Sequence, residues 1–291
     1  MTHLDESTLA QLKSWEGRSD TVTDTITAAP VRGLSATLDR QDPEADLLAL
    51  PPLWHWLFFL PRTKQSELGP DGHALKGGFL PPVPFPRRMW AGGRLRWHAP
   101  LQIGDQVQRI SRVERVQHKS GHSGELLFVK VCHEIHNSQG LCISEEHDIV
   151  YRPLQASNSA LKTHDTAVKP HAWKRHLVPD DALLFRYSAL TFNAHRIHYD
   201  RRYCKEVEGY PGLVVHGPLL ATLLLDLVRR NSPQEVVSLE FKATHPCFEC
   251  ADQHLIHLYG QPLADESGVD LWVQDHEGHV NMQATAFFRN H

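Results

Sequence analysis

Groups able to move protons crowd into one stretch, Phe192-Asn193-Ala194-His195-Arg196-Ile197-His198-Tyr199-Asp200. A little further on, His216-Gly217-Pro218 opens a run of leucines. Histidine takes up and releases a proton near neutrality, so His195 and His198 are candidates for general acid–base work, with Asn193 beside them as a hydrogen-bonding group. Gly217-Pro218 reads as a helix start, because proline fits the first helical position, where its missing N–H is not needed. The first N–H groups of a helix lack internal acceptors and lie at the positive end of its dipole. They suit a carbonyl oxygen that gains negative charge during a reaction, and a glycine there lets a ligand approach the backbone.

A buried scaffold must hold these two stretches together. From Leu219 to Val228 the leucines cover almost the whole circumference of a helix, leaving Thr222, Asp226 and Arg229 as a narrow polar stripe. Such a helix has to be enclosed, and it is too short to span a bilayer. A sheet wrapped around it is the simplest enclosure.

The loop and helix together resemble the hydratase motif of the MaoC-like, hot-dog-fold enoyl-thioester hydratases, in which a D-x-N-P-x-H-x-D loop activates water and a glycine at the start of the central helix supplies an oxyanion N–H. On that resemblance His198 falls on the motif histidine, Asp200 on the acid two places later, and Gly217 on the glycine of the His-Gly pair, preceded by His216. Asn193 falls where the family has its catalytic aspartate, His195 on the motif asparagine and Arg196 on the motif proline. An amide takes no proton at neutral pH, so the resemblance implies His198 as main base, with Asn193 orienting the water. Arg196 is then a guanidinium able to hold a distal carboxylate of the substrate, and His195, Asp200 and His216 join it as substrate-binding residues.

The string F-N-A-H-R-I-H-Y-D is similar to the itaconyl-CoA and mesaconyl-C4-CoA hydratases and the related mitochondrial 3-hydroxyacyl-thioester dehydratases. Pro51-Pro52-Leu53-Trp54-His55-Trp56, Gly77-Gly78-Phe79-Leu80-Pro81-Pro82 and Arg87-Arg88-Met89-Trp90-Ala91-Gly92-Gly93 extend the likeness over most of the chain.

The resemblance implies an α+β double hot-dog, and the order of elements agrees with it. Residues 4–15 are expected to form a short amphipathic helix, and Thr21–Thr27 a strand, with Val31–Leu38 ambiguous. Leu53–Leu60 is expected to be a short buried helix, the first half's counterpart of the Leu219 helix. A glycine- and proline-rich loop covers 61–86, a length usual for a lid or a substrate-binding edge. Alternating strands then run from Met89 to Tyr151 and again from Val236 to Phe288. The expected division is a first half over 1–154, without the motif and shaping the acyl pocket, a linker over 155–169, and a second half over 170–291 carrying the motif. Histidines 55, 73 and 98 of the first half are expected to be dispensable for chemistry.

A net charge of −4 gives no electrostatic case for nucleic acid or an anionic membrane, and five cysteines without framework spacing suggest reduced thiols. The start, Met-Thr-His-Leu-Asp-Glu, has acids where a presequence would have bases, so a cytoplasmic protein is expected. Cys247-x-x-Cys250 invites a zinc reading, but residues three apart on a strand face opposite ways, so no metal is expected. The expected activity is reversible hydration of a short, branched or dicarboxylic enoyl-CoA, with acyl-CoA as the substrate and no cofactor. A homodimer is compatible with this reading. The alternatives are a fatty-acyl dehydratase, a hot-dog thioesterase and a non-catalytic acyl-CoA-binding module.

Overall fold

The computed structural model describes residues 4–42, 48–121, 124–153, 169–249 and 254–289. The linker expected at 155–169 lies outside them except for Lys169, as does Cys250. A ten-stranded antiparallel sheet runs in the order β1-β3-β4-β5-β2-β7-β10-β9-β8-β6. Its strands are β1 (Ser19–Thr25), β2 (Arg87–Trp97), β3 (Gln106–Gly121), β4 (Gly124–Asn137), β5 (Gly140–Arg152), β6 (Trp173–Leu177), β7 (Val236–Ala243), β8 (Ile256–Pro262), β9 (Gly268–Gln274) and β10 (Val280–Phe288). Read inward from either edge, each half places its first, third, fourth, fifth and second strands in that order. The chain therefore holds two copies of one topology, joined where β2 pairs with β7 from Gly92↔Lys242 to Arg96↔Ser238.

The helices are α1 (Glu6–Lys13), α2 (Ala28–Thr37), α3 (Asp181–Leu190), the single turn α4 (Arg201–Tyr203) and α5 (Gly217–Asn231). Helix α5 starts at Gly217 with Pro218 in its first turn, and every residue from Leu219 to Val228 is buried. Even the polar stripe is internal. Asp226, 2% exposed, receives Arg40 Nη1 at 2.8 Å, Arg175 Nη1 at 2.6 Å and Arg230 Nε at 2.8 Å, which ties α5 to β6 and to the segment after α2. Burying that carboxylate is tolerable because three guanidiniums satisfy it.

Among the described residues between α2 and β2, the first half has no helix to match α5. The expected Leu53–Leu60 helix is a 3-10 turn, Trp54–Leu57. Pro51-Pro52 and Pro61 confine the run, and Leu53 and Phe59 adopt positive φ of 70° and 56°, which ends any helix at both sides. The ambiguous Val31–Leu38 segment falls mostly within α2 instead.

Three elements were not foreseen, β6, α3 and the single turn α4. Asp180 caps α3 by accepting the Leu183 N–H at 2.8 Å, and the helix runs directly into the histidine loop. Helix α3 also packs on α2: a Cβ at Gly33 would lie 2.8 Å from Leu190 Cδ2. The loop is thus suspended between α3 and α4, against the start of α5.

Candidate active site

The histidine loop closes on itself before it meets the rest of the protein. Asn193 Oδ1 accepts the His195 N–H at 3.0 Å, and the 3-10 turn Arg196–His198 follows. His198 is 7% exposed, and its Nδ1 lies 2.7 Å from Val214 O. A carbonyl only accepts, so Nδ1 carries the proton and Nε2 is left with a lone pair, the state a base requires. Burial lowers the His198 pKa to about 4, even though the bond to Val214 O favours the charged form. The ring is therefore neutral at physiological pH.

His216 stacks on His198, with ring centroids 3.7 Å apart and planes at 18°, and Ser188 Oγ lies 2.8 Å from its Nε2. Because His216 is the N-cap of α5, this stack sets the candidate base beside the start of the helix. Space for a ligand exists there, since a Cβ built on Gly217 would meet nothing within 4 Å. The Gly217 N–H belongs to the first-turn donors that no residue of the helix can accept from.

The other expected site residues divide in two. His195 faces the group, its ring perpendicular to that of His198 at 5.4 Å, and burial lowers its pKa to about 2. Arg196 and Asp200 face each other instead. Arg196 donates to Asp200 Oδ2 from Nε at 3.0 Å and from Nη2 at 2.7 Å, donates to Pro70 O from Nη1 at 3.0 Å, and stacks over Tyr203. Asp200 also caps α4 by accepting the Tyr203 N–H at 3.0 Å. Both side chains hold the loop in shape, and each guanidinium nitrogen already has a partner.

Three further groups reach the site from the first half. Asp71 and His73, in the 61–86 loop, bring His73 to within 3.9 Å of the His195 ring. Arg88, opposite Tyr151 in the β2–β5 pair, bonds to Tyr151 and disfavours the charged forms of both His73 and His195. Among the described residues Arg88 has no carboxylate partner. The sequence signal was the length and composition of the 61–86 loop; nothing in it pointed to Asp71 or His73 individually. Asp71, His73 and His195 hold ligand-type atoms within 4.8 Å of one another, as a metal site does. Here Asp71 Oδ2 accepts a hydrogen bond from His73 Nδ1 at 3.1 Å, and the His195 ring lies against that of His73.

Residues 53–249 match the family of hydroxyacyl-thioester dehydratases type 2. The chain belongs to that family. It is 46% identical to the mesaconyl-C4-CoA hydratase of Chloroflexus aurantiacus, over 95% of this chain and 97% of that one. It is 31% identical to the mitochondrial hydroxyacyl-thioester dehydratase type 2 of Schizosaccharomyces pombe, over 86% of this chain and 91% of the relative. Among solved structures, a MaoC-like dehydratase superposes with a TM-score of 0.71 at 14% identity, over 96% of this chain and 100% of its own. A Mycobacterium tuberculosis protein described as a double hotdog fold superposes with a TM-score of 0.56 at 15% identity, over 94% and 96%. The protein is accordingly a double hot-dog hydro-lyase of acyl thioesters.

Membership in the family bears on which concavity holds the chemistry. One pocket of about 330 Å³ lies at the far end of α5, between Pro51, Trp97 and Val228. A second of about 150 Å³ is lined by His55, Arg109, His133, Glu145, His147 and Thr191. Neither includes His198 or Gly217. The second pocket adjoins the motif loop through Thr191 and holds a buried carboxylate. Burial would raise the Glu145 pKa, but His147 at 2.5 Å and His55 at 3.0 Å hold it well below the carboxylate range, and Trp56 Nε1 donates a third bond at 2.9 Å.

Proposed function

We propose that this protein adds water reversibly across the double bond of a short dicarboxylic enoyl-CoA of the mesaconyl-C4 or itaconyl type. The observation that carries the reading is His198, fixed through Nδ1 on Val214 O with Nε2 free, beside the N-terminus of α5. In the hydration direction, His198 Nε2 takes a proton from water as the water oxygen bonds to the β-carbon. The π pair moves into the thioester enolate, whose oxygen is held by the Gly217 N–H and the helix dipole. His198 then returns the proton to the α-carbon. The thioester itself makes that position acidic, so the scheme uses no metal or redox group.

Two observations favour a carboxylate on the acyl group: the identity to the mesaconyl-C4-CoA hydratase, and Arg88, which has no carboxylate partner among the described residues and lies beside His73 and His195. Arg88 replaces Arg196 as the proposed cation, because Arg196 is bound to Asp200. A fatty 3-hydroxyacyl thioester is the second reading, supported by the family match and the Schizosaccharomyces pombe relative. Incubation with crotonyl-, itaconyl- and mesaconyl-C4-CoA, following enoyl absorbance beside thiol release, tests the proposal. Hydration without thiol release, fastest for a carboxylated substrate, is expected. Preference for the unsubstituted crotonyl chain would favour the second reading, and release of CoA would make the protein a thioesterase.

A further inference from the structure

The motif that this loop resembles has an acid where the chain has Asn193, whose amide exchanges no proton and whose Oδ1 is engaged by the His195 N–H. A carboxylate nevertheless reaches the histidines, from the other half of the molecule. The turn at Gly69–His73 is closed by the Gly69 N–H to His73 O at 2.7 Å and docks on the motif loop. Arg196 N–H donates to Asp71 O at 2.9 Å, and Arg196 Nη1 to Pro70 O at 3.0 Å. At the contact, Gly72 has a φ of +88°, and a Cβ there would fall 1.8 Å from Ala194 O. Only glycine satisfies both conditions, so the docking is specified by the sequence.

This docking brings His73 beside the motif histidines. Its ring lies against His195, which stands perpendicular to His198. Asp71 accepts twice from His73, from the backbone N–H at 3.0 Å and from Nδ1 at 3.1 Å. Burial would raise the Asp71 pKa, but these bonds hold it well below the carboxylate range, so it is ionised and can only accept. His73 therefore carries its proton on Nδ1 and offers Nε2 as a lone pair, the tautomer that Val214 O imposes on His198.

We propose that His73, oriented by Asp71, is a catalytic residue of this site and stands in for the acid missing at position 193. This rests on the hydratase reading. The attacking water directs one hydrogen to His198 Nε2 and the other to His73 Nε2. As the oxygen bonds to the β-carbon, the first O–H breaks and its proton passes to His198, then to the α-carbon. The second hydrogen stays on the product hydroxyl, and His73 remains neutral throughout. Asp71 from its own turn, Arg88 from β2 and His195 from the motif loop face His73, whose charge also acts on His198. Burial and Arg88 keep the His73 pKa below its ordinary value against the opposing effect of Asp71, which maintains the neutral form the scheme needs.

The test compares wild type, His73→Ala and Asp71→Asn in enoyl-CoA hydration, each with a pH–kcat/KM profile. His73→Ala should lower kcat by about tenfold, the worth of one positioned hydrogen bond to the attacking water, and added imidazole should restore part of the loss. Asp71→Asn removes the anion that favours protonated His73, so the acid limb should move to lower pH. A loop that only props the site would change KM and thermal stability, leaving the limb in place and imidazole without effect. If His73→Ala does not fold, the Asp71→Asn profile decides by itself. A folded His73→Ala with kcat within about threefold of wild type, or an unmoved limb in Asp71→Asn, overturns the role of His73 alone. A wild type that hydrates none of the thioesters overturns the hydratase reading and this proposal with it.

Discussion

Gly217→Ala separates the fold from the chemistry at a single atom. In the folded protein the added methyl meets nothing within 4 Å, and Gly217 is not among the positive-φ positions, so neither packing nor backbone opposes it. Alanine is the better helix former by up to about 1 kcal/mol, less at the first position. The melting temperature should therefore stay within about 2 °C of wild type or rise slightly. Activity should move the other way. Loss of one oxyanion donor costs about 10²–10³ in kcat, roughly 2.7–4 kcal/mol. A methyl displaces the thioester oxygen without deleting the donor, so we expect the milder part of that effect, about 10- to 100-fold in kcat/KM or ~1.4–2.7 kcal/mol. Thermal melts and initial rates on the best enoyl-CoA decide between the outcomes. Full activity would mean that the thioester does not lie over Gly217, and the oxyanion assignment would fall.

Further predictions concern neighbouring groups. Arg88→Ala should raise KM for mesaconyl-C4-CoA by about tenfold or more, a lost charge-assisted bond of roughly 1.5–3 kcal/mol, with little change for crotonyl-CoA; equal effects on both would remove Arg88 from carboxylate recognition. Glu145→Ala leaves His55, Trp56 and His147 without their shared acceptor and should cost about 3–5 kcal/mol in denaturant unfolding, where a loss under about 1 kcal/mol would show that the buried network is not structural. His198 titrates near 4 in the folded protein and near 6.5 when unfolded, so only the unfolded chain gains a proton between those values. Its contribution to stability is complete above about pH 6.5 and is lost as pH falls toward 4. In His198→Ala the decline of the denaturation midpoint over that window should be shallower than in wild type, and parallel curves would contradict the burial of a neutral ring.

The sequence made some parts of this structure plain and hid others for physical reasons. Helix α5 was legible because a run that is apolar on all sides can only be a core helix, and Gly-Pro marks its start. Strands β2–β5 and β7–β10 were legible as strand-like runs between turns, whereas the return of β2 onto β5 and of β7 onto β10 is a tertiary pairing that a local pattern does not show. The Trp54 segment was misread because its hydrophobicity matches a helix, while positive φ at Leu53 and Phe59 is a tertiary outcome that composition does not reveal. Helix α3 carries a capping signal, Asp180 before Leu183, Leu184 and Tyr187, but it is short and its two faces are not sharply divided between apolar and polar residues. At the site, His198, His216 and Gly217 lie close in the chain and their grouping could be anticipated. His73 was expected to be dispensable for chemistry, because its approach depends on the fit of Gly72 against Ala194 across the two halves, which composition does not reveal. Arg196 and Asp200 are four residues apart on a turn, and their mutual pairing removes the guanidinium that the sequence offered to substrate.

The central claim is that His198 is the base of a water-adding enzyme, and turnover by His198→Ala measures it most directly. With mesaconyl-C4-CoA as substrate and loss of enoyl absorbance as the signal, wild type should form the hydroxyacyl thioester without releasing thiol. A folded His198→Ala should be slower in kcat by about 10²–10⁴-fold. Near-wild-type turnover by the folded variant would contradict the account.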